Sequence, residues 1–226
     1  MHKILYDITK FSILDYEDHL SAILWFGGCN MRCPYCHNAD IVFGKNSIQK
    51  EEAINFLKSR IGKLEAVVFS GGECTLYKEL PTLAKEIKEL GFKIKIDTNG
   101  TNPALLKEMV ERNLVDFISL DFKAPKEKYI SITSNKEFSS FLETLKYLIQ
   151  KGQDFEVRTT VHTDILDEND INSIIKELHS FGFKGKYFIQ NYMHQDKILG
   201  DLKEQKRALN RDKIISNLIN INFRNF

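Results

Sequence analysis

Residues 21–38 read SAILWFGGCNMRCPYCHN, and the fold is read outward from this stretch. Its first six residues, SAILWF, form a short apolar run of β type closed by the Gly27-Gly28 pair, and a polar loop with three cysteines follows. The succession recurs downstream. Runs of β type lie at EAVVFS 65–70, FKIKID 92–97, DFISLD 116–121, FEVRTTV 155–161 and KYFIQ 186–190. Between them, four sets recur with helical period: Ala53, Ile54, Leu57 and Ile61; Leu83, Ala84, Ile87 and Leu90; Phe141, Leu142, Leu145, Leu148 and Ile149; and Ile171, Ile174, Ile175 and Leu178. Each set marks a helix with one buried stripe. Gly91, Gly152 and Gly182 follow such stripes where a helix end takes positive φ, and Pro103 after Asn102 reads as the first helical residue after an N-cap.

Strands that alternate with helices lie parallel and are joined by right-handed crossovers, which predicts the α/β class. Six βα units are too few for an eight-stranded barrel, so the expected fold is an open, partial (βα)6 barrel in a single domain over residues 21–200. Residues 1–20 are expected to form an N-terminal extension, an added strand or lid. DLKEQKRALNRDKIISNLINI, from residue 201, is expected to give residues 201–226 a helical tail.

Composition narrows the function classes. The 226 residues are 42% hydrophobic and 28% charged, with 32 Lys+Arg against 31 Asp+Glu, so no long-range field argues for nucleic acid or an anionic membrane as partner. Charges interrupt the first 20 residues every few positions, against a signal peptide, and no apolar run reaches the ~18 residues of a membrane span. The expected location is the cytoplasm. Three of the four cysteines fall within eight residues, as suits a metal site in a reducing compartment rather than a disulfide framework.

In parallel α/β folds functional groups gather at the carboxyl ends of the strands. Here the first strand leads into GGCNMRCPYCHN, the second into SGGE, the third into DTNG and the fourth into DFK; the fifth carries Arg158 and the sixth is followed by Gln190 and Asn191. Cys29, Cys33 and Cys36 have the spacing CxxxCxxC. Structural zinc usually takes four ligands in two pairs, and no second pair exists; His37, next to Cys36, would strain a tetrahedron. A [4Fe-4S] cluster held by three thiolates leaves one iron open, as a catalytic metal requires. Zinc and incidental thiols stay open on spacing alone.

CNMRCPYCHN at 29–38 resembles the radical S-adenosylmethionine signature, CxxxCxφC with aromatic φ, here Tyr35. The resemblance covers most of residues 20–195 and implies that Cys29, Cys33 and Cys36 hold a [4Fe-4S] cluster whose open iron is chelated by S-adenosylmethionine, reductively cleaved to a 5′-deoxyadenosyl radical. It implies a role for the supporting motifs too. Gly71, Gly72 and Glu73 match the family's GGE motif, which receives the cofactor's amino group; Asp97 matches an aspartate near the ribose or an adjacent cation; Lys123 matches a DxK lysine that holds the cofactor's carboxylate. His37, Asn38 and Arg158 match further cofactor-side positions. Cys74 stands where many relatives have proline and reads as a small buried residue.

CHN after the cluster motif, SGGECTLYKEL, IKIDTNGTNP, LDFKAPKEKY and EVRTTV together resemble the activating proteins of glycyl-radical enzymes, nearest a compact branch that serves anaerobic ribonucleoside-triphosphate reductase. That resemblance implies a glycyl-radical enzyme as partner and flavodoxin or ferredoxin as reductant. A pyruvate formate-lyase-type activating enzyme, a small-molecule enzyme such as 7-carboxy-7-deazaguanine synthase, and a zinc-binding module are the alternatives. The cysteine spacing is standard, unlike that of many deazaguanine relatives, and the basic residues of the tail are interleaved with acidic ones.

Overall fold

A computed structural model of the chain describes residues 3–226. In chain order its elements are β1 (Lys3–Leu5), β2 (Asp7–Ser12), β3 (Ser21–Phe26), α1 (Ala39–Val42), β4 (Ile48–Gln49), α2 (Lys50–Lys58), β5 (Ala66–Gly71), α3 (Leu80–Glu89), β6 (Lys93–Thr98), α4 (Pro103–Glu111), β7 (Phe117–Asp121), α5 (Lys126–Thr133), α6 (Phe138–Lys151), β8 (Phe155–Val161), α7 (Glu168–Ser180), β9 (Lys186–Asn191) and β10 (Asn220–Arg224). The six strands read from the sequence are β3, β5, β6, β7, β8 and β9, so the βα alternation expected of a partial (βα)6 fold is present strand by strand. Among the described residues, no helix is long and apolar enough to cross a membrane. The chain divides into two compact units, with the boundary inside β7 between Ile118 and Ser119.

The first unit takes residues up to Asn30, Asp40–Thr98 and Asn102–Ile118. Its strands run in the order β2-β3-β5-β6, with β3, β5 and β6 parallel and β2 antiparallel to β3. Strand residues alternate between two faces. One face carries Phe26 and Phe69, whose rings meet edge-on at 5.6 Å, together with Ile94 and Ile96; α3 lies against β6, and its Leu80, Leu83, Ala84 and Ile87 are buried. Each leucine, isoleucine or phenylalanine so withdrawn from water contributes about 1.5–3 kcal/mol. The other face begins with an apolar cluster of Tyr16, Ile23, Ala66 and Val68 and turns polar toward the carboxyl ends, at Ser70, Lys95 and Asp97. Ile61, read as part of the second helix's stripe, lies beyond α2 and is exposed, because α2 ends at Lys58.

The second unit takes Met31–Ala39, Asn99–Thr101 and Ser119–Phe226. Its strands run β7-β8-β9-β10, with β8, β9 and β10 parallel. The helix-covered face is apolar: Phe122 meets Phe141 of α6 at 4.6 Å, and Leu120, Val157, Val161 and Ile189 are fully buried. Gly152, at φ +69°, ends α6 in the left-handed conformation a side chain resists, and an Asp167/Asp170 capping box starts α7.

The helical tail expected over 201–226 does not form. That segment holds a short 3-10 turn at Arg211–Lys213 and then β10, which lies parallel to β9. Tertiary bonds override the helical reading by capturing its groups one at a time. The Lys203 carbonyl is bound by His162 Nε2 at 2.8 Å, the Arg207 carbonyl accepts from Thr163 Oγ1 at 2.5 Å, and the Asn210 N–H donates to Glu168 at 2.7 Å. Downstream, Ile221 and Phe223 alternate with Asn220, Asn222 and Arg224, which is a strand period.

The tail is tied down by a bidentate pair in which Arg207 donates to both oxygens of Glu168, at 2.6 and 2.8 Å. The Arg207 bonds hold the Glu168 carboxyl down at about 2, against 4.5 for a free glutamate. A depressed carboxyl stabilises the fold above its unfolded value and loses that contribution as pH falls through its folded value. Stability measured by urea denaturation is therefore expected to fall between pH 4.5 and about 2 more steeply in the parent than in Glu168→Gln; equal slopes would refute this.

Candidate active site

In the first unit, the loop leaving β3 is held by its backbone: the Gly27 N–H donates to Asn46 Oδ1 at 2.9 Å and the Gly28 N–H to the Ile41 carbonyl at 2.8 Å. The turn after β5 is fastened to the same loop. Gly72 N–H donates to the Phe26 carbonyl and Glu73 N–H to the Gly28 carbonyl, both at 2.9 Å. Gly71 sits at φ +120°, and a Cβ on Gly72 would collide with the carbonyl oxygen of Gly28. Both glycines are thus demanded by close backbone approach beside Cys29.

Glu73 is almost wholly buried, and its Oε1 accepts from Thr75 N (3.1 Å), Thr75 Oγ1 (2.6 Å) and Thr98 Oγ1 (2.8 Å). The carboxylate caps the short 3-10 turn at Cys74–Leu76. Asp97 accepts from Ser70 Oγ at 3.2 Å and is ion-paired with the buried Lys95. Cys74 is buried; burial pushes its thiol well above the ordinary value, so it stays protonated, and its Sγ donates to the Asp97 carbonyl.

In the second unit, residues 31–39 are clamped from several sides. Arg32 N–H donates to the Thr133 carbonyl at 2.7 Å, Leu199 N–H to the Cys36 carbonyl and Gly200 N–H to the Pro34 carbonyl, both at 2.9 Å. A Cβ on Gly200 would stand 2.5 Å from Pro34 Cβ. The Cys36 N–H turns back to the Cys33 carbonyl at 3.0 Å. Tyr35 is buried, with its hydroxyl 3.4 Å from the Lys123 carbonyl.

Asp121 lies between two cations, Lys123 Nζ at 3.0 Å and Arg158 Nε at 3.0 Å. Burial pushes its carboxyl up, but Arg158 and Lys123 outweigh that and hold it below the ordinary value. Burial likewise opposes the Lys123 ammonium, yet Asp121 and Cys33 carry it well above the ordinary lysine range, so Lys123 is a permanent cation. Burial raises the Cys33 thiol, and Lys123 pulls it back.

Of the residues read from the sequence, the first unit brings together Gly71, Gly72 and Glu73 against the loop that carries Cys29, with Asp97 bonded to Ser70 of the same strand end. The second brings together Cys33, Tyr35, Lys123 and Arg158. His37 stands apart and exposed, its ring 5.6 Å from Tyr192, and Asn38 is half-buried. Lys95, Glu156 and Gly200 were missed. The first two had a signal, because each lies two residues before a predicted polar residue on its strand, in KIKID and FEVR. Gly200 had none, since its partner Pro34 is remote in sequence.

The four cysteines are free thiols. Among the described residues, no three His, Cys, Asp or Glu side chains gather tightly enough to hold a single metal ion. A four-iron cubane takes its thiolates spaced around a larger body than a single zinc ion does. Three soft thiols without a fourth ligand fit such a cluster. The Radical SAM superfamily model matches residues 23–189, which take in the three-cysteine motif, Gly71-Gly72-Glu73, Asp97, Lys123 and Arg158. This chain belongs to the radical SAM superfamily.

As a radical SAM enzyme it uses a [4Fe-4S] cluster and S-adenosylmethionine. It is 34% identical over 203 residues to a protein of Methanocaldococcus jannaschii assigned as a glycyl-radical enzyme activating enzyme, a match covering 87% of this chain and 82% of that one. It is 28% identical over 174 residues to the pyruvate formate-lyase-activating enzyme of Clostridium pasteurianum, covering 71% of each. Among solved structures it resembles Streptococcus suis SuiB bound to S-adenosylmethionine, with a TM-score of 0.64 over 89% of this chain at 14% identity. The radical SAM chain spans about half the length of SuiB, and at that identity the likeness is one of fold.

Proposed function

We propose that this radical SAM enzyme activates a glycyl-radical enzyme, with an anaerobic ribonucleoside-triphosphate reductase as its partner. The observation that carries the activating role is the 34% identity to an assigned activating enzyme across most of both chains. The choice of reductase rests on the resemblance of SGGECTLYKEL, IKIDTNGTNP and LDFKAPKEKY to the compact branch of these activators. In this reading Cys29, Cys33 and Cys36 ligate three irons of the cluster. When bound, cluster and cofactor supply a 5′-deoxyadenosyl radical by one-electron cleavage of a sulfur–carbon bond, and a hydrogen atom leaves an α-carbon of one partner glycine for that radical.

The chain's own residues bind and orient. Lys123 offers the cofactor's carboxylate an ammonium whose charge Asp121 secures. Gly71 and Gly72, which carry no side chain, let the amino group approach the backbone of that turn, and Glu73, bonded to Thr75 and Thr98, shapes it on the cofactor's side. Asp97, bonded to Lys95 and Ser70, stands on the side of the ribose or of an adjacent cation. Tyr35, His37, Asn38 and Arg158 complete the cofactor's surroundings, within a core of residues 21–200. The setting is cytoplasmic, with flavodoxin or ferredoxin as electron donor.

Anaerobically reconstituted protein is expected to hold about four irons per chain. With dithionite, S-adenosylmethionine and the reductase it is expected to give 5′-deoxyadenosine and a glycyl doublet in the electron paramagnetic resonance spectrum. A doublet with pyruvate formate-lyase and none with the reductase would reassign the partner. 5′-Deoxyadenosine without a doublet on any glycyl-radical enzyme would overturn the activating role.

A further inference from the structure

The face of the second unit opposite its helices is charged. Glu156 and Arg158 stand two apart on β8, and Ser119 and Asp121 two apart on β7. Their contacts extend beyond the Lys123–Asp121–Arg158 group. Arg158 Nη1 lies 4.0 Å from Glu156 Oε1, which also accepts from Ser119 Oγ at 2.8 Å, and Arg224 Nη2 of β10 lies 3.6 Å from Glu156 Oε2. The Arg224 guanidinium is 3.5 Å from the centre of the Phe188 ring. Five charges thus alternate in sign from Lys123 to Arg224.

We propose that Arg224, the last residue of β10, is a positioning residue that keeps Lys123 available to the cofactor's carboxylate; the inference rests on the reading of Lys123 given above. Each carboxylate in the ladder is shared between two cations. The Glu156 side chain is only 8% exposed, so its charge cannot turn to solvent. Without Arg224, both Glu156 oxygens depend on Arg158, and Ser119 can offer only a neutral hydroxyl. Arg158 is drawn toward Glu156 and loosens from Asp121. Asp121, itself caught between the two, then takes its neutralisation from Lys123, and an ammonium held that closely offers less to a ligand. The last strand of the chain reaches the cofactor subsite through charge, without touching it.

The test is a double-mutant cycle on reconstituted holoenzyme, measuring equilibrium binding of S-adenosylmethionine and the thermal midpoint of Arg224→Met, Glu156→Gln and the double variant. Arg224→Met is expected to weaken binding about tenfold, the lower range for removing a residue behind a ligand-holding group. In the Glu156→Gln background, with no carboxylate competing for Arg158, the same change is expected to cost less than about twofold. Arg224→Met is expected to raise the KM for S-adenosylmethionine and, at saturating cofactor, to leave kcat unchanged. Equal weakening in both backgrounds would mark Arg224 as a strand-packing residue and overturn the proposal, as would unchanged binding. Lys123→Met separates this from the parent reading: if Lys123→Met weakens binding and Arg224→Met does not, only the positioning role falls; if Lys123→Met leaves binding unchanged, both fall.

Discussion

Cys33→Ser is expected to abolish cofactor cleavage while leaving the fold intact. Cys33 is buried, and serine nearly matches its volume, so the substitution opens no cavity in the clamped loop of residues 31–39. The chemistry does not survive. A thiolate is a soft donor to iron, whereas a serine hydroxyl is a hard one that stays protonated in a buried site. On the ligand set proposed above, Cys33→Ser leaves only two thiolates to hold the cluster, so iron and sulfide should fall well below the parent's and 5′-deoxyadenosine formation should drop more than about a thousandfold, or about 4 kcal/mol at the transition state. Cys74→Ser is the control. Its thiol is buried and bonded to the Asp97 carbonyl, so it should keep its iron and lose only a little stability. Full iron content in Cys33→Ser, or loss of iron in Cys74→Ser, would overturn the ligand assignment.

The parts of the fold that were legible were those governed by local periodicity. Leu83, Ala84 and Ile87 had to face one way on a helix, Asn102-Pro103 had to start one, and α3 and α4 form there, with Asn102 accepting from Leu105 N–H. The parts that were not legible depend on partners remote in sequence. α5 escaped because its stripe is weak; Lys128, 2.6 Å from Asp170 at the start of α7, ties it in place. The tail was misread for the same reason, since Glu168 and Thr163 decide its path. At the site, motif residues were readable by type, but their bonds were not. Glu73, read as part of the cofactor motif, also caps the turn at Cys74–Leu76, and Lys95, which looked like an ordinary strand residue, is the cation beside Asp97.

That division between motif and partner makes Gly72 the sharpest structural test outside the cysteines. Gly72→Ala places a methyl group onto the Gly28 carbonyl, and this obstacle is backbone, held in turn by the Glu73 N–H. Neither side can swing away as a side-chain tip would, so the turn after β5 must separate from the loop that leads to Cys29. The expected cost is about 3 kcal/mol. In a chain of this size that lowers the melting midpoint by about 6–12 °C. Gly91→Ala isolates the conformational part. Gly91 lies at φ +92° with nothing within 4 Å of an added Cβ, so it carries left-handed strain alone, about 1–2 kcal/mol. The two variants should differ in a second respect. Displacing Gly28 moves the backbone next to Cys29, so Gly72→Ala should reconstitute with less iron than the parent, whereas Gly91→Ala, at the end of α3, should reconstitute fully. Equal midpoints for the two variants would mean that the turn relaxes without moving the loop. Full iron content in a destabilised Gly72→Ala would mean that the turn supports the fold and not the cysteine loop.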